Sequence, residues 1–301
     1  MDSKSTFEQA PAADLRAASW GQGRRLEFVD FRLRWTGRLN RSDLTAFFGI
    51  SVPQASLDIA KYLEMAPGNA TYDRSAKAYS ATPTFAPFFP GNSPAKYLEE
   101  LLARATGLLQ AELSFLGWTP EVAVASNPSR SVPANTLSAV LSAIHDGTVL
   151  TIRYQSMSSV LPVERDIDPH SLAHDGFRWH VRAYCHMRER FLDFVFARIL
   201  SVQTTVRPGK RGADDDAWQR KVPLVIAPSP SLSDAHKRVI ELDYEMQGGE
   251  TSIECRQALL FYVLRRLGLL DEHQALAHVQ QIVLRNRDEI AHLLPKTVGP
   301  R

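Results

Sequence analysis

The densest chemical signal in the sequence is the run Arg178-Trp179-His180-Val181-Arg182-Ala183-Tyr184-Cys185, which alternates without a break. Read as a β-strand, it places Arg178, His180, Arg182 and Tyr184 on one face about 7 Å apart, twice the ~3.3 Å rise per residue. Trp179, Val181, Ala183 and Cys185 then fill a core face. Neighbouring segments add Arg153, Tyr154, Ser156, Ser158, Arg165 and His170, and five of the nine histidines fall in this stretch (His145, His170, His174, His180, His186). Guanidinium groups grip phosphate oxygens in pairs, while Tyr and His rings offer surfaces on which bases stack. The expected ligand-binding set is therefore Tyr154, Ser156, Ser158, Arg165, His170, Arg178, His180 and Arg182, for a ligand of nucleotide or nucleic-acid type. The competing arrangement is a solvated face with Arg178 and Arg182 paired to Asp166, Asp168 or Asp193. No metal site is expected, because the histidines form no i, i+4 pair on a helix.

A second constellation lies between Arg41 and Tyr79. Ser51 reads as the N-cap of a helix from Val52 to Met65, with Gln54 and Ser56 near its N-terminal end. A glutamine there can pair bidentately with adenine in a major groove. Val52, Ala55, Ile59 and Leu63 are expected to point inward, and Gln54, Leu57, Asp58 and Lys61 outward. The segment Tyr72 to Tyr79 reads as a hairpin, or wing, whose tip carries Arg74 and Lys77 for phosphate contact. Arg41, Ser51, Gln54, Ser56, Leu57, Lys61, Arg74 and Lys77 form the expected DNA-contacting set.

The elements that must position these residues follow from apolar periodicity and punctuation. A helix from Arg24 to Trp35 buries Leu26, Val29 and Leu33, widened by Phe28, Phe31 and Trp35, under Arg24, Arg25, Arg32, Arg34 and Arg38. A shorter helix from Arg41 to Phe48 ends at Gly49, a residue suited to the left-handed position after a helix. This glycine, then Ile50 and the capped helix at Ser51, make the tight turn of a helix-turn-helix. Four prolines between Pro83 and Pro94 forbid a continuous helix. Ser93 and Pro94 open a new helix, to about Leu109, with Leu98, Leu101, Leu102 and Ala105 on one face. After a break at 126–133, a helix from Ala134 to His145 presents Leu137, Val140, Leu141 and Ile144. Short strands follow at Val149–Tyr154, Val163–Ile167, Phe177–Cys185 and Phe191–Leu200. Residues 207–221 read as a polar linker in which Asp214-Asp215-Asp216 is a solvated charge run. A last module from Val222 has a strand, a helix at Ser233–Tyr244, a strand at Thr251–Ile253 and closing helices.

Whole-chain properties narrow the class. At 301 residues the chain has room for two or three domains. Its net charge of +2 assigns no partner by itself. Met1 to Thr82 hold 11 Lys and Arg against 9 Asp and Glu, so useful affinity for DNA calls for a dimer. Residues 1–19 read as a frayed leader without an apolar secretory core. The most apolar stretch, Ala258 to Leu264, is stopped by Arg265 and Arg266, well short of the ~20 residues of a membrane span. Cys185 and Cys255 stand far apart with no CxxC spacing, which fits a reducing cytoplasm. No GxSxG, P-loop, HExxH or glycine-rich dinucleotide turn is present, so no enzyme and no cofactor is expected.

Asp168-Pro169-His170, Arg178-Trp179-His180-Val181 and Arg198-Ile199 together resemble the WYL domain, a small β-barrel sensor named for a Trp-Tyr-Leu tripeptide. Here the tripeptide is Trp179-His180-Val181, so a role resting on the middle tyrosine hydroxyl does not carry over. The order of winged helix-turn-helix, helical connector, WYL domain and C-terminal extension is similar to the BrxR/CapW-type regulators found beside bacterial anti-phage systems. The resemblance implies an α+β multidomain chain: a winged helix-turn-helix at 1–82, a helical connector at 83–132, an Sm/SH3-like small β-barrel WYL domain at 133–206, and a linker with a small α/β dimerisation extension at 207–301. It implies a cytoplasmic homodimeric repressor of a defence operon (BREX or CBASS), bound to an inverted-repeat double-stranded DNA operator and relieved by a nucleotide or nucleic-acid effector. In the resemblance the helix from Ala258 to Leu267 offers apolar surface for the dimer. Activation instead of repression, or control of a defence enzyme by protein contact, are the alternatives for the same architecture.

Overall fold

Apolar residues recurring every three or four positions from Leu26 to Leu33 turn one side of the first helix into the spine of an N-terminal unit. The computed structural model describes residues 20–125, 128, 131–270 and 280–294. The expected leader at 1–19, half of the break at 126–133 and part of the closing helices lie outside the described residues. The chain divides into two compact units, Met1–Ser126 and Asn127–Arg301.

In the first unit α1 (Trp20–Thr36), α2 (Arg41–Phe48) and α3 (Val52–Met65) are followed by a hairpin of β2 (Ala70–Asp73) and β3 (Ala78–Ala81). A two-residue strand, β1 (Arg38–Leu39), pairs with β3 and makes a three-stranded sheet in the order β1-β3-β2. Asn40 caps α2, in a reciprocal pair with Asp43, and Gly49 closes it at φ +64°. Fourteen buried apolar side chains, from Leu26 to Leu116, form one core, including Phe28, Phe31, Leu44, Ile59, Tyr62 and Phe115. At its centre the fully buried Asp30 carboxylate accepts from Tyr62 Oη at 2.7 Å, Asn92 Nδ2 at 2.8 Å and Phe88 N at 3.0 Å. That hub ties α1 to α3 and to the proline-rich segment, whose Phe89 joins the core. Ser93 caps α4 (Pro94–Ala105), which stops four residues before its expected end because Gly107 turns the chain at φ +73°.

The second unit opens with α5 (Ala134–Asp146), ended by Gly147 at φ +65°. Strands β4 (Thr148–Tyr154), β5 (Val163–His174), β6 (Trp179–Cys185), β7 (Arg190–Val195) and β8 (Ile199–Pro208) form one antiparallel sheet in the order β7-β6-β5-β4-β8. β7 and β8 are the outer strands of this order, and no ladder joins them among the described residues. The stretch read as one strand from Phe191 to Leu200 is broken by a 3-10 turn at Phe196–Arg198, which carries the chain from one edge to the other. Val140 and Ala143 of α5 pack on Leu150, Ile152, Ile167, Val181, Ala183 and Phe194. Leu141, expected inside, is 47% exposed.

The C-terminal module of this unit is a second sheet, β10 (Thr251–Arg256), β9 (Lys221–Pro228) and β11 (Ile282–Leu284), in that order. α7 (Asp234–Asp243) and α8 (Leu260–Arg266) cover it, after a short α6 (Asp216–Gln219). Leu260 and Leu264 of α8 are fully buried in this module's own core, so the helix offers less free apolar surface than its sequence suggests. Of its side chains Phe261 is 41% exposed, and further exposed apolar side chains lie on α7, with Val239 at 52% and Leu242 at 79%. Among the described residues no helix is long and apolar enough to cross a membrane.

Candidate nucleic-acid interface and ligand-sensing face

The α2-turn-α3 arrangement exposes the first turns of α3. Ser51, its cap, accepts from Gln54 N at 3.3 Å and remains exposed. The buried stripe is Ala55, Asp58, Ile59 and Tyr62. Two expectations are corrected here: Val52 is 57% exposed, and Asp58 points inward and is fully buried. Asp58 tolerates burial because it accepts from Arg25 Nε at 2.6 Å and from Gln54 Nε2 at 3.1 Å. The Gln54 amide is thereby tethered, and the exposed residues of this stretch include Ser51, Val52, Pro53, Leu57 (64% exposed) and Lys61, the last 3.4 Å from Glu64.

Arg41 links this helix to the hairpin. Its Nε donates to Ser56 Oγ at 2.8 Å, and its guanidinium lies 5.4 Å from the Tyr72 ring and 5.7 Å from the Tyr79 ring. Tyr72 and Tyr79 are cross-strand partners with ring centroids 4.9 Å apart. Beyond them the tip carries Arg74 and Lys77, both exposed, with Lys77 at φ +52°. Asp73 organises the tip by accepting from Ser75 N at 2.8 Å and Ala76 N at 3.1 Å. The Ser75 hydroxyl, with those amides, holds the Asp73 carboxyl below the usual range. Such an arrangement can reach base edges with an outward helix face and phosphates with the tip cations.

The expected ligand-binding set is brought together only in part. Tyr154 sits in the sheet core against Phe194 and accepts from Val195 N at 3.2 Å. Arg165, the ladder partner of Ile152, shares that core side, 5.9 Å from the Tyr154 ring, with Nε unpartnered among the described residues. Ser156 and Ser158 bond to each other at 3.1 Å in the loop after β4. None of these four joins the Arg178, His180 and Arg182 face.

That face is itself a correction. His180 and Arg182 are 1% and 7% exposed, whereas Trp179, expected in the core, is 51% exposed. The reason is a cover supplied by residues 209–218 and by α8. Gly209 and Gly212 allow it: a Cβ at Gly209 would lie 2.9 Å from Asp168 Cβ, and one at Gly212 2.8 Å from His170 Nδ1. Asp215, expected in a solvated run, is 2% exposed. It accepts from Arg182 Nε at 2.7 Å and Nη2 at 3.1 Å, and lies 3.2 Å from His170 Nε2. Burial pushes the Asp215 carboxyl up, but the Arg182 hydrogen bonds outweigh it and leave it below the usual range. Burial likewise pulls His170 below the ordinary histidine value, against the opposing pull of Asp215. Arg182 Nη1 also donates to Asp193 at 3.1 Å, and Tyr262 Oη of α8 donates to the same carboxylate at 3.0 Å.

The bulge between Pro169 and Ser171 sets His170 towards this network, and Pro169 lies past the last β4–β5 pair, where no β4 partner awaits its missing N–H. Arg178 Nε donates to Asp175 at 3.1 Å, and His180 Nε2 lies 3.0 Å from that carboxylate. Asp175 and Tyr262 escaped the sequence reading, as did the burial of Asp215. The Gly209 and Gly212 spacing is the one signal of the close cover.

The domain description "BrxR transcriptional regulator winged helix-turn-helix domain" matches residues 21–103, "WYL domain" residues 135–204, and "BrxR transcriptional regulator, C-terminal dimerization domain" residues 221–290. A "DNA-binding transcriptional repressor CapW" of Pseudomonas aeruginosa is 44% identical over 297 residues, covering 97% of this chain and 98% of that protein. Proteins of the same name from Escherichia coli (strain KTE188) and Stenotrophomonas maltophilia are 44% and 41% identical, covering 93% and 90% of this chain and 94% and 91% of their own lengths.

Proposed function

Because the chain belongs to the CapW family of transcriptional regulators, with its BrxR-type winged helix, WYL and C-terminal domains, we propose that it is a homodimeric DNA-binding repressor answerable to an effector. The observation that carries this reading is the outward face of α3 (Ser51, Val52, Leu57, Lys61) beside a hairpin tipped by Arg74 and Lys77. α3 enters a major groove, where the Leu57 side chain suits a thymine methyl and Lys61 a phosphate or base edge. Arg41 reaches the backbone from between Tyr72 and Tyr79. Gln54 acts first by holding Asp58, and reads bases only if DNA draws its amide away.

Two protomers joined through the C-terminal module read an inverted repeat with half-sites about one helical turn, or a small multiple, apart. The modest charge of the N-terminal unit supports a dimer, since each added phosphate contact strengthens binding and its salt dependence. A nucleotide or nucleic-acid effector acts on the WYL unit, with a coupling of about 1 to 3 kcal/mol to DNA release. The regulated genes are a defence operon, and the protein works in the cytoplasm. Titrating purified protein against the DNA upstream of its own gene, with Leu57→Ala and Lys61→Ala variants beside it, tests the assignment. Tight wild-type binding that the double variant weakens at least about tenfold supports it; equal binding by both overturns the role of α3.

A further inference from the structure

Between the Asp175–Arg178 turn of the WYL sheet and the end of α8 lies a cavity of about 430 Å³ lined by Asp175, Phe177, Arg178, Tyr262, Arg265 and Arg266. Its charge is unbalanced. Asp175, the acidic group among these residues, is already saturated by Arg178 Nε, by the Phe177 and Arg178 amides at 2.8 Å each, and by His180. The Asp175 bond fixes the Arg178 guanidinium through Nε and leaves its terminal nitrogens without a described partner. Arg265 and Arg266 are exposed and have no acidic partner among the described residues. Gly176, at φ +96°, brings the turn against the Arg266 stem, since a Cβ there would lie 3.2 Å from Arg266 Cδ. Phe177 stands 60% exposed at the same place, an apolar ring with no buried role.

Three guanidinium groups converging on a cavity with an open aromatic ring suit one kind of ligand: a phosphate carrying an aromatic base. The volume falls at the low end of small-ligand sites, about 300 to 1,000 Å³, where a single nucleotide fits. We propose that this cavity binds one phosphorylated nucleoside unit, free or at the end of a strand, with its phosphate on Arg178, Arg265 and Arg266 and its base on Phe177. The proposal rests on the reading that the second unit senses a nucleotide-type effector, and it moves the point of entry from the covered Arg182 face to this edge. Occupancy clamps the WYL sheet to the C-terminal module. The signal has a route, because Tyr262 lines the cavity, lies 4.9 Å from the His180 ring and donates to Asp193, which also holds Arg182.

The test is calorimetric titration of the full chain with a nucleoside 5′-monophosphate, a 5′-phosphorylated dinucleotide, the unphosphorylated nucleoside and inorganic phosphate. The expected result is binding of a phosphorylated nucleoside, weakened at least about tenfold when either phosphate or base is missing. The double variant Arg265→Gln/Arg266→Gln, whose residues are exposed and unpaired, weakens it at least about tenfold with an unchanged melting temperature. Phe177→Ala weakens it roughly fivefold or more. Whether the mononucleotide or the dinucleotide binds tighter tells a free nucleotide from a strand end. Equal binding by wild type and the Arg265/Arg266 variant overturns this site while leaving nucleotide sensing in place. Equal binding of inorganic phosphate overturns the base-stacking half. No binding by any phosphorylated probe overturns both this site and the sensing reading it rests on.

Discussion

Replacing Asp215 with alanine removes one carboxylate from the cover over the WYL sheet, and its cost can be worked from the geometry. Asp215 is 2% exposed, takes two hydrogen bonds from Arg182, touches His170 and caps α6 at Trp218 N. Removing one partner of a buried pair costs about 3 to 5 kcal/mol, because the other charge is left without compensation. Arg182 keeps Asp193 at 3.1 Å, which places the loss near the lower end. A lost helix cap adds about 1 kcal/mol. The expected destabilisation is then about 3 to 4 kcal/mol, or roughly 6 to 16 °C in melting temperature for a unit of this size. Differential scanning calorimetry of the full chain measures it, with the exposed neighbours Asp214→Ala and Asp216→Ala as controls expected within about 0.5 kcal/mol of wild type. A cycle with Arg182→Met adds the decisive arm: the double variant should lose less than the sum of the singles by at least about 1 kcal/mol. A shift for Asp215→Ala no larger than the controls, or strict additivity, refutes the buried-pair account.

Arg74→Ala with Lys77→Ala should weaken DNA binding by a similar factor on every sequence and lower the salt slope of log affinity by about 1 to 2, read by fluorescence anisotropy at several salt concentrations; an unchanged slope removes the wing from the interface. Asp58→Ala strands Arg25 and frees Gln54, so urea titration should show the N-terminal unit losing about 3 kcal/mol, and a loss below about 1 kcal/mol contradicts the role given to that pair. His170 has its folded value pulled down by burial, so the unfolded chain gains the proton first as acid is added. Its contribution is therefore intact above about pH 6.5 and is lost as pH falls below that value, and His170→Gln should flatten the melting temperature between about pH 5 and 6.5. Cys185 and Cys255 are buried and free, and burial pushes the Cys255 thiol up to about 11, so an aromatic disulfide reagent should label neither thiol until denaturant is added.

The sequence exposed what local rules govern. The caps at Ser51 and Ser93, the left-handed turn at Gly49 and the Tyr72–Tyr79 hairpin each rest on residues within a few positions of one another, and each stands in the structure. Long-range pairing was hidden. Asp58 reads as a solvent residue until Arg25, 33 positions earlier, is seen to satisfy it. The strand alternation at Arg178–Cys185 placed Val181, Ala183 and Cys185 in the core but not Trp179, and period two cannot say whether the polar face meets water or another module. Here it meets Asp215 and Tyr262, 33 positions from Arg182 and 69 from Asp193 respectively.

The central claim is that α3 and the wing read a specific site on DNA. Its most direct test is a footprint of the purified protein on the DNA upstream of its own gene, at physiological salt, with excess non-specific competitor. The account predicts a protected inverted repeat, bound by a dimer, whose protection disappears for the Leu57→Ala/Lys61→Ala variant that still folds. Absence of any protected segment, or equal protection by that variant, contradicts it.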